Sequence, residues 1–232
     1  MGRYLVTGIT RGIGAETGRV LVEAGHEVIG LARSESAEFP TWTADLSQPD
    51  LLAARLGGPI GGLDPSGLDG VVHAAGVVRP GSLGSPAVAA LTEQFAVNVT
   101  AVAELNRLLL PALRARRATV VLVNSGSGLN ARAPLGAYGA SKFALRAYAD
   151  ALRQEEPALR VSTVYPGRTA TTMQEAVRAA EGGEYDESQY LSPETVARVI
   201  VSMLTVPADA VITDVTVRPS GRPGPSSPDA HR

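Results

Sequence analysis

The feature that most constrains this 232-residue chain stands near its start: Gly8-Ile9-Thr10-Arg11-Gly12-Ile13-Gly14. These glycines follow an apolar run of strand length, Arg3-Tyr4-Leu5-Val6-Thr7. After them comes a stretch of helical spacing to about Ala24, with Gly25 placed as its stop, and a second strand-like run from Glu27 to Leu31. Strand, glycine turn, helix and strand make the opening of a dinucleotide-binding βαβ unit. Glycines let the backbone pass close to a pyrophosphate, and the helix start offers free N–H groups and a partial positive charge. A tight turn alone would also use glycine; the position between strand and helix favours the nucleotide.

The end of the second strand bears on which dinucleotide is held. An acidic residue about 20 positions past the turn suits a free ribose 2′-hydroxyl, and a basic one suits a 2′-phosphate. Here Leu31-Ala32-Arg33-Ser34 offers no carboxylate before Glu35. Arg33 can hold phosphate through a forked pair of hydrogen bonds, and Arg11 lies in the glycine turn on the same side. The expected cofactor is NADP(H); two solvated surface arginines are the competing reading.

The remaining chain alternates strands and helices. Strand-like runs fall at 41–44, 69–75, 119–123, 159–164 and 211–217, with helical stretches at 47–56, 87–110, 137–156 and from Pro193 to near Leu204. Ser47 and Ser192 are placed to cap two of these helices. Seven strands alternating with helices predict an α/β fold: a single-domain Rossmann fold with a doubly wound, seven-stranded parallel sheet. Residues 57–68 read as a surface connection, and 168–192 as a mobile lid with weak helical pieces. Residues 1–218 form the expected dinucleotide-binding and catalytic domain, and the Pro-rich stretch 219–232 an expected disordered tail.

Composition narrows the function classes. Lys and Arg total 21 against 23 Asp and Glu, so no polyanionic nucleic acid is expected as partner. No apolar run approaches a membrane span, and Met1-Gly2-Arg3 leads straight into a strand rather than a signal peptide. There is no cysteine, which fits a cytoplasmic location, and with three histidines no metal cluster is expected. His73, inside an apolar run, reads as a core histidine before a ligand.

The chemistry concentrates at Ser125–Lys142. Tyr138 and Lys142 are four apart on one expected helix and so share a face. A neighbouring ammonium favours the phenolate, and a tyrosine so tuned can pass a proton to or from a substrate oxygen. Ser125, at a strand end, could hold the same oxygen, with Ser127 as second choice. Asn98 sits mid-helix before β-branched Val99 and Thr100, against local propensity, a conflict typical of functional positions. On spacing alone a Tyr–Lys pair is commonplace; the nucleotide turn gives it meaning.

With Thr7 to Gly14 (TGITRGIG), Asp45-Leu46, His73 to Gly76 (HAAG), Asn98, Ser125, Tyr138 to Lys142 (YGASK) and Pro166 to Thr171 (PGRTAT) in this order, the chain resembles the short-chain dehydrogenase/reductase family over residues 3 to about 218. The resemblance implies that Asn98, Ser125, Tyr138 and Lys142 are a catalytic tetrad. Tyr138 would be the acid/base and Ser125 the holder of the substrate oxygen. Lys142 would bind the nicotinamide ribose and depress the tyrosine, and Asn98 would hold a proton-relaying water. Gly8, Gly12 and Gly14, with Thr10 and Ile13 in the same turn, would line the pyrophosphate site. Asp45 and Leu46 would meet the adenine, and Ala75 and Gly76 its ribose. After Pro166 and Gly167, the Thr169 backbone and the Thr171 hydroxyl would meet the nicotinamide amide. Arg11 and Arg33 match the NADP-preferring pattern. His73 and Ala74 depart from it, standing where two asparagines are frequent.

The expected activity is NADP(H)-dependent hydride transfer to or from a small-molecule ketone or secondary alcohol, in a homotetramer or homodimer. A non-catalytic NADPH sensor, or an isomerase or dehydratase on the same fold, are the alternatives. Met173, Leu129, Leu135, Tyr185 and Tyr190 are candidate apolar walls for the substrate, and Arg132 and Arg168 candidate contacts for an anionic one; packing or solvated surface competes at each.

Overall fold

A computed structural model describes residues 1–56, 64–84 and 88–221. The elements run β1 (Arg3–Thr7), α1 (Gly12–Glu23), β2 (Glu27–Ala32), β3 (Thr41–Thr43), α2 (Leu52–Leu56), β4 (Gly70–His73), α3 (Val88–Phe95), α4 (Ala101–Arg116), β5 (Thr119–Val123), α5 (Gly136–Glu155), β6 (Arg160–Pro166), α6 (Thr172–Ala180), α7 (Pro193–Thr205) and β7 (Asp214–Val217). Seven strands form one sheet in the order β3-β2-β1-β4-β5-β6-β7, and every pairing is parallel. The expected doubly wound Rossmann architecture is what the chain adopts.

The strand sequences explain the layering. Successive strand residues point to opposite faces. On one face Leu5, Ile29, Val71, Val120 and Leu122 pack with Leu105 and Leu109 of α4 and Leu145 and Ala149 of α5. On the other, Val6, Val28, Val72, Val121 and Val164 pack with Leu21 of α1 and Ile200 and Leu204 of α7. Burial on both faces favours apolar side chains at successive positions, hence the run Val120–Val123 that follows Thr119, all fully buried or nearly so. Because α1 lies on one face and α4 on the other, the chain leaves β1 and β4 in opposite directions. A crevice opens between their carboxyl ends, the place where such sheets bind ligands.

Several boundaries differ from the sequence reading, each for a local reason. Gly25 does end α1: it has φ 81°, and His26 N–H bonds the Leu21 carbonyl across it. Ser192 caps α7 through Thr195 N–H, with Pro193 at the first position. Ser47, however, caps nothing; its N–H is taken by the Asp45 carboxylate, and the helix begins as a 3-10 turn at Pro49–Leu51. The single helix expected over 87–110 is instead α3, a π turn at Ala96–Thr100 and α4, which continues through Pro111 to Arg116. Strand β4 ends at His73 rather than Ala75, because Ala75 N–H turns to the Thr7 hydroxyl. Strand β7 pairs only over 214–217, since Val211 is 43% exposed and outside the ladder. Within 168–192, α6 is capped by the Thr171 hydroxyl and the segment is tied by a bridge between Thr169 and Leu191. Most of the expected tail at 219–232 and of the connection at 57–68, namely residues 222–232 and 57–63, lies outside the described residues. Among the described residues no helix is long and apolar enough to cross a membrane, and no cluster of three or more acidic or histidine side chains could hold a metal.

Candidate active site

The β1–α1 turn is built so closely that glycine is required. A side chain on Gly14 would place its Cβ 2.3 Å from the Gly8 carbonyl oxygen. Gly8 itself has φ 71° and runs against the backbone of Ala75, leaving β4. Arg11 provides the N-terminal boundary of α1 without a side-chain cap, and the first turn carries no acidic residue. The N–H groups that open every helix are therefore left without a protein side chain to satisfy them, facing an anion-sized demand.

This turn forms one wall of a cleft of about 460 Å³. Around it stand Gly8, Thr10, Arg11, Gly12, Ile13 and Gly14; Arg33 after β2; Asp45 and Leu46 after β3; Ala75 and Gly76 after β4; Tyr138 and Lys142 from α5; and Thr171 at the start of α6. Residues as far apart as Gly8 and Thr171 are brought to one cavity at the carboxyl ends of β1 to β6. Arg11 and Arg33 have no ion pair or side-chain hydrogen bond among the described residues.

The strand β5 exit and the α5 helix are stitched together. The Asn124 amide donates to the Lys142 carbonyl at 3.1 Å and accepts from Ser125 N–H at 2.8 Å. The Ser125 hydroxyl accepts from Ser127 N–H at 3.1 Å and is hydrogen-bonded to the Tyr138 hydroxyl. Lys142 is 4% exposed; its Nζ donates to the Val123 carbonyl at 2.9 Å and lies 5.8 Å from the Tyr138 ring centroid. Asn98 is buried behind the cleft rather than on its wall. Its amide oxygen accepts from Val77 N–H at 2.9 Å, and its Nδ2 donates to the Val77 carbonyl and the Ser141 hydroxyl, both at 3.0 Å. Ser141 in turn donates to the Tyr138 carbonyl at 2.8 Å. Asn98 thus ties the loop after β4 to the turn of α5 that carries Tyr138.

Burial sets the protonation states. It pushes the Tyr138 hydroxyl up from its ordinary value, with the Ser125 hydrogen bond acting in the opposite sense. It pushes the Lys142 amine down to about 8. Both shifts favour the neutral form of a group taken out of water. The expected depression of Tyr138 by Lys142 is not what governs here: the ammonium is engaged with a backbone carbonyl, and desolvation dominates. His73 is likewise pushed down, to about 4, by burial against the opposing hydrogen bond to Asn106, and sits in the core as a neutral ring.

Other sequence-chosen residues stand elsewhere. Pro166, Gly167 and Thr169 do not line the cleft: Pro166 ends β6, Gly167 N–H is used by the Val217 carbonyl, and Thr169, 6% exposed, is in the bridge to Leu191. Met173 lines the cleft, whereas Leu129, Leu135, Tyr185 and Tyr190 do not; the two tyrosine rings pack on each other at 5.3 Å. Arg168 is paired with Glu181. The sequence reading missed Asn124 and Ser141. Asn124 was legible as a polar residue closing an apolar strand, but Ser141 depends on how α5 meets the π turn.

A family model of short chain dehydrogenases matches residues 3–182. The chain belongs to the short-chain dehydrogenase family. It is an oxidoreductase by that membership. Over 246 residues it is 29% identical to dehydrogenase/reductase SDR family member 11 of Bos taurus, covering 93% of this chain and 95% of the relative. The alcohol dehydrogenase of the archaeon Thermococcus sibiricus, solved with 5-hydroxy-NADP, superposes with a TM-score of 0.82 at 20% identity, covering 97% of this chain and 100% of that one. The 3-ketoacyl-(acyl-carrier-protein) reductase of Brucella melitensis, solved with NADH, superposes with a TM-score of 0.80 at 19% identity, covering 95% and 98%. At those identities the two structures are alike in fold.

Proposed function

We propose that this oxidoreductase uses NADP(H) to interconvert a small-molecule ketone and secondary alcohol, with Tyr138 as the acid/base. The observation that carries this reading is the hydroxyl pair of Ser125 and Tyr138 with the Lys142 amine one turn away, at a cleft whose other wall is a glycine turn and an uncapped helix start. The cleft fits a dinucleotide on its own geometry. Gly14 packs directly on the Gly8 carbonyl, so the helix start lies close against the end of β1, and Arg11 and Arg33, which line the cleft, have no ion pair among the described residues. When bound, the nicotinamide supplies or accepts the hydride.

The chain's own groups handle the proton. In the reducing direction, Tyr138, held neutral by burial, donates its hydroxyl proton to the carbonyl oxygen while Ser125 donates a hydrogen bond to that oxygen. Lys142, charged below about pH 8, then stabilises the phenolate left behind. Asn98 keeps the loop after β4 and the α5 turn in register, and we assign it the relay water. Gly8, Thr10, Gly12, Ile13 and Gly14 hold the pyrophosphate, Asp45 and Leu46 the adenine, and Ala75 and Gly76 its ribose. Arg11 and Arg33 hold the 2′-phosphate. Among the segments after β6, Thr171 meets the nicotinamide amide through its hydroxyl, and Pro166, Gly167 and Thr169 reach it only if α6 moves as a lid. The 5-hydroxy-NADP in one neighbour supports the cofactor choice, and the NADH in another is the reason to test it. A cysteine-free chain suits the reducing cytoplasm, where we place the reaction, and a homodimer or homotetramer is the proposed assembly.

The test is a panel of ketones and secondary alcohols assayed with NADPH, NADH and their oxidised forms. Turnover with at least one carbonyl, faster with NADPH than with NADH, is expected. Binding of NADPH with no turnover on any substrate would favour a sensor. Product formed without net cofactor consumption would favour an isomerase or dehydratase. Arg33→Asp should move the preference toward NADH, and an unchanged cofactor ratio would refute the role of Arg33.

A further inference from the structure

The carboxyl ends of β5, β6 and β7 stand side by side, and three residues just beyond them meet there. Gly126 follows Ser125 in the turn after β5, Gly167 follows β6, and Arg218 follows β7. The Arg218 side chain runs back over Gly167, where an added Cβ would lie 3.5 Å from its Cδ. It sets its guanidinium on Gly126, where an added Cβ would lie 2.9 Å from Nη1 and 3.4 Å from Nη2. Gly126 is not among the glycines of positive φ, so the backbone does not demand glycine there. What a side chain at that position would take is the space of the Arg218 head. Gly126 is bonded to Ser125, whose hydroxyl meets that of Tyr138. Chain geometry alone then holds the guanidinium within about 10 Å of the Ser125 hydroxyl.

Among the described residues Arg218 has no ion pair or side-chain hydrogen bond. Other arginines on this side are engaged: Arg168 pairs with Glu181 at 2.7 Å, and Arg79 with Glu93 at 2.6 Å. Glu93 lines the cleft, and its charge is thereby balanced. Asp45, the other acid of the cleft, stands after β3, with β2, β1 and β4 between that strand and β5. An anion beside Ser125 therefore meets an open cation and no uncompensated carboxylate of the cleft wall.

We propose that Arg218 determines specificity for a ketone or secondary alcohol that bears a carboxylate, binding the carboxylate while the reacting oxygen lies between Ser125 and Tyr138; the proposal rests on the ketone/alcohol reading above. One guanidinium balances the one charge of a carboxylate and matches its two oxygens with a fork of N–H donors. A substrate with only a few carbons between carbonyl and carboxylate spans the distance. Holding its anionic end fixes the carbonyl in place. Because Arg218 is exposed, the contact is screened by salt.

The experiment is steady-state kinetics of the full chain with NADPH and three short oxo acids, pyruvate, acetoacetate and levulinate, each beside its methyl ester. At low salt the wild type is expected to favour at least one acid over its ester about tenfold in kcat/KM, and the preference should shrink as salt is raised. Arg218→Gln should abolish the preference, raising KM for the acid about tenfold with little change in kcat, and Arg218→Lys should recover part of it. Gly126→Ala, which puts a methyl group where the guanidinium lies, should weaken the acid in the same sense. Equal use of acids and esters by the wild type overturns the proposal, as does turnover of neutral ketones with none of the acids, or an acid preference that survives Arg218→Gln. If Arg218→Gln slows acid and ester alike, the residue only ties β7 to the turn after β5, and the proposal fails. Should no ketone be turned over with either cofactor, the ketone/alcohol reading itself falls and this assignment falls with it.

Discussion

The ring of His73 is 2% exposed, and its Nε2 lies 2.9 Å from the Asn106 amide oxygen, whose Nδ2 reaches the Tyr148 hydroxyl at 3.1 Å. This chain of hydrogen bonds braces β4 against α4 and α5. Burial holds the ring's folded value down at about 4, against 6.5 for the ordinary histidine. Between those values the unfolded chain takes up a proton that the folded chain refuses. Stability from this group is therefore undiminished above pH 6.5 and lost progressively as pH falls toward 4, by on the order of 3 kcal/mol in all. His73→Asn, which keeps a hydrogen-bonding side chain at the site and removes the titration, should flatten the fall in urea midpoint between pH 7 and pH 4.5. An equal slope in both proteins would show that His73 is not the titrating group. In the sequence, an apolar neighbourhood was enough to read His73 as core. The direction of the Tyr138 shift was not legible, because it depends on how deeply α5 is buried and on which acceptor the Lys142 amine finds.

At the scale of elements, the π turn at Ala96–Thr100 is the best example of a signal that was visible but misplaced. Asn98, Val99 and Thr100 resist a regular helix, and the chain answers with one wider turn, in which Ala101 N–H bonds the Ala96 carbonyl. The bulge presents the Asn98 amide to both backbone groups of Val77. Asn98→Ala would leave those groups without their side-chain partner, and a loss of about 1–3 kcal/mol in unfolding free energy is expected from chemical denaturation. An unchanged midpoint would mean that the contact with Val77 contributes nothing. Helix caps that use adjacent residues were legible, as Gly25 and Ser192 show. Ser47 was not: the helical segment starts later, as a 3-10 turn at Pro49–Leu51 with Gln48 at the cap position.

For the whole molecule, continuous apolar runs such as Thr119–Val123 announced a parallel sheet covered on both faces, and the glycine turn announced where its ligand crevice would open. That much follows from periodicity, because burial on two faces makes a strand predominantly apolar, with only small polar residues such as Ser162 and Thr163 admitted. The walls of the cleft were less legible. Thr171 and Met173 reach it because α6 packs beside the crevice, while Pro166, Gly167 and Thr169, close in sequence, are taken up by β7 and Leu191. The proposed proton donor, Tyr138, is tested most directly by Tyr138→Phe. Carbonyl-dependent NADPH oxidation should fall at least about a hundredfold, the scale of acid catalysis, while calorimetry shows adenosine 2′,5′-bisphosphate still bound with wild-type affinity. Undiminished turnover in that variant would contradict the account.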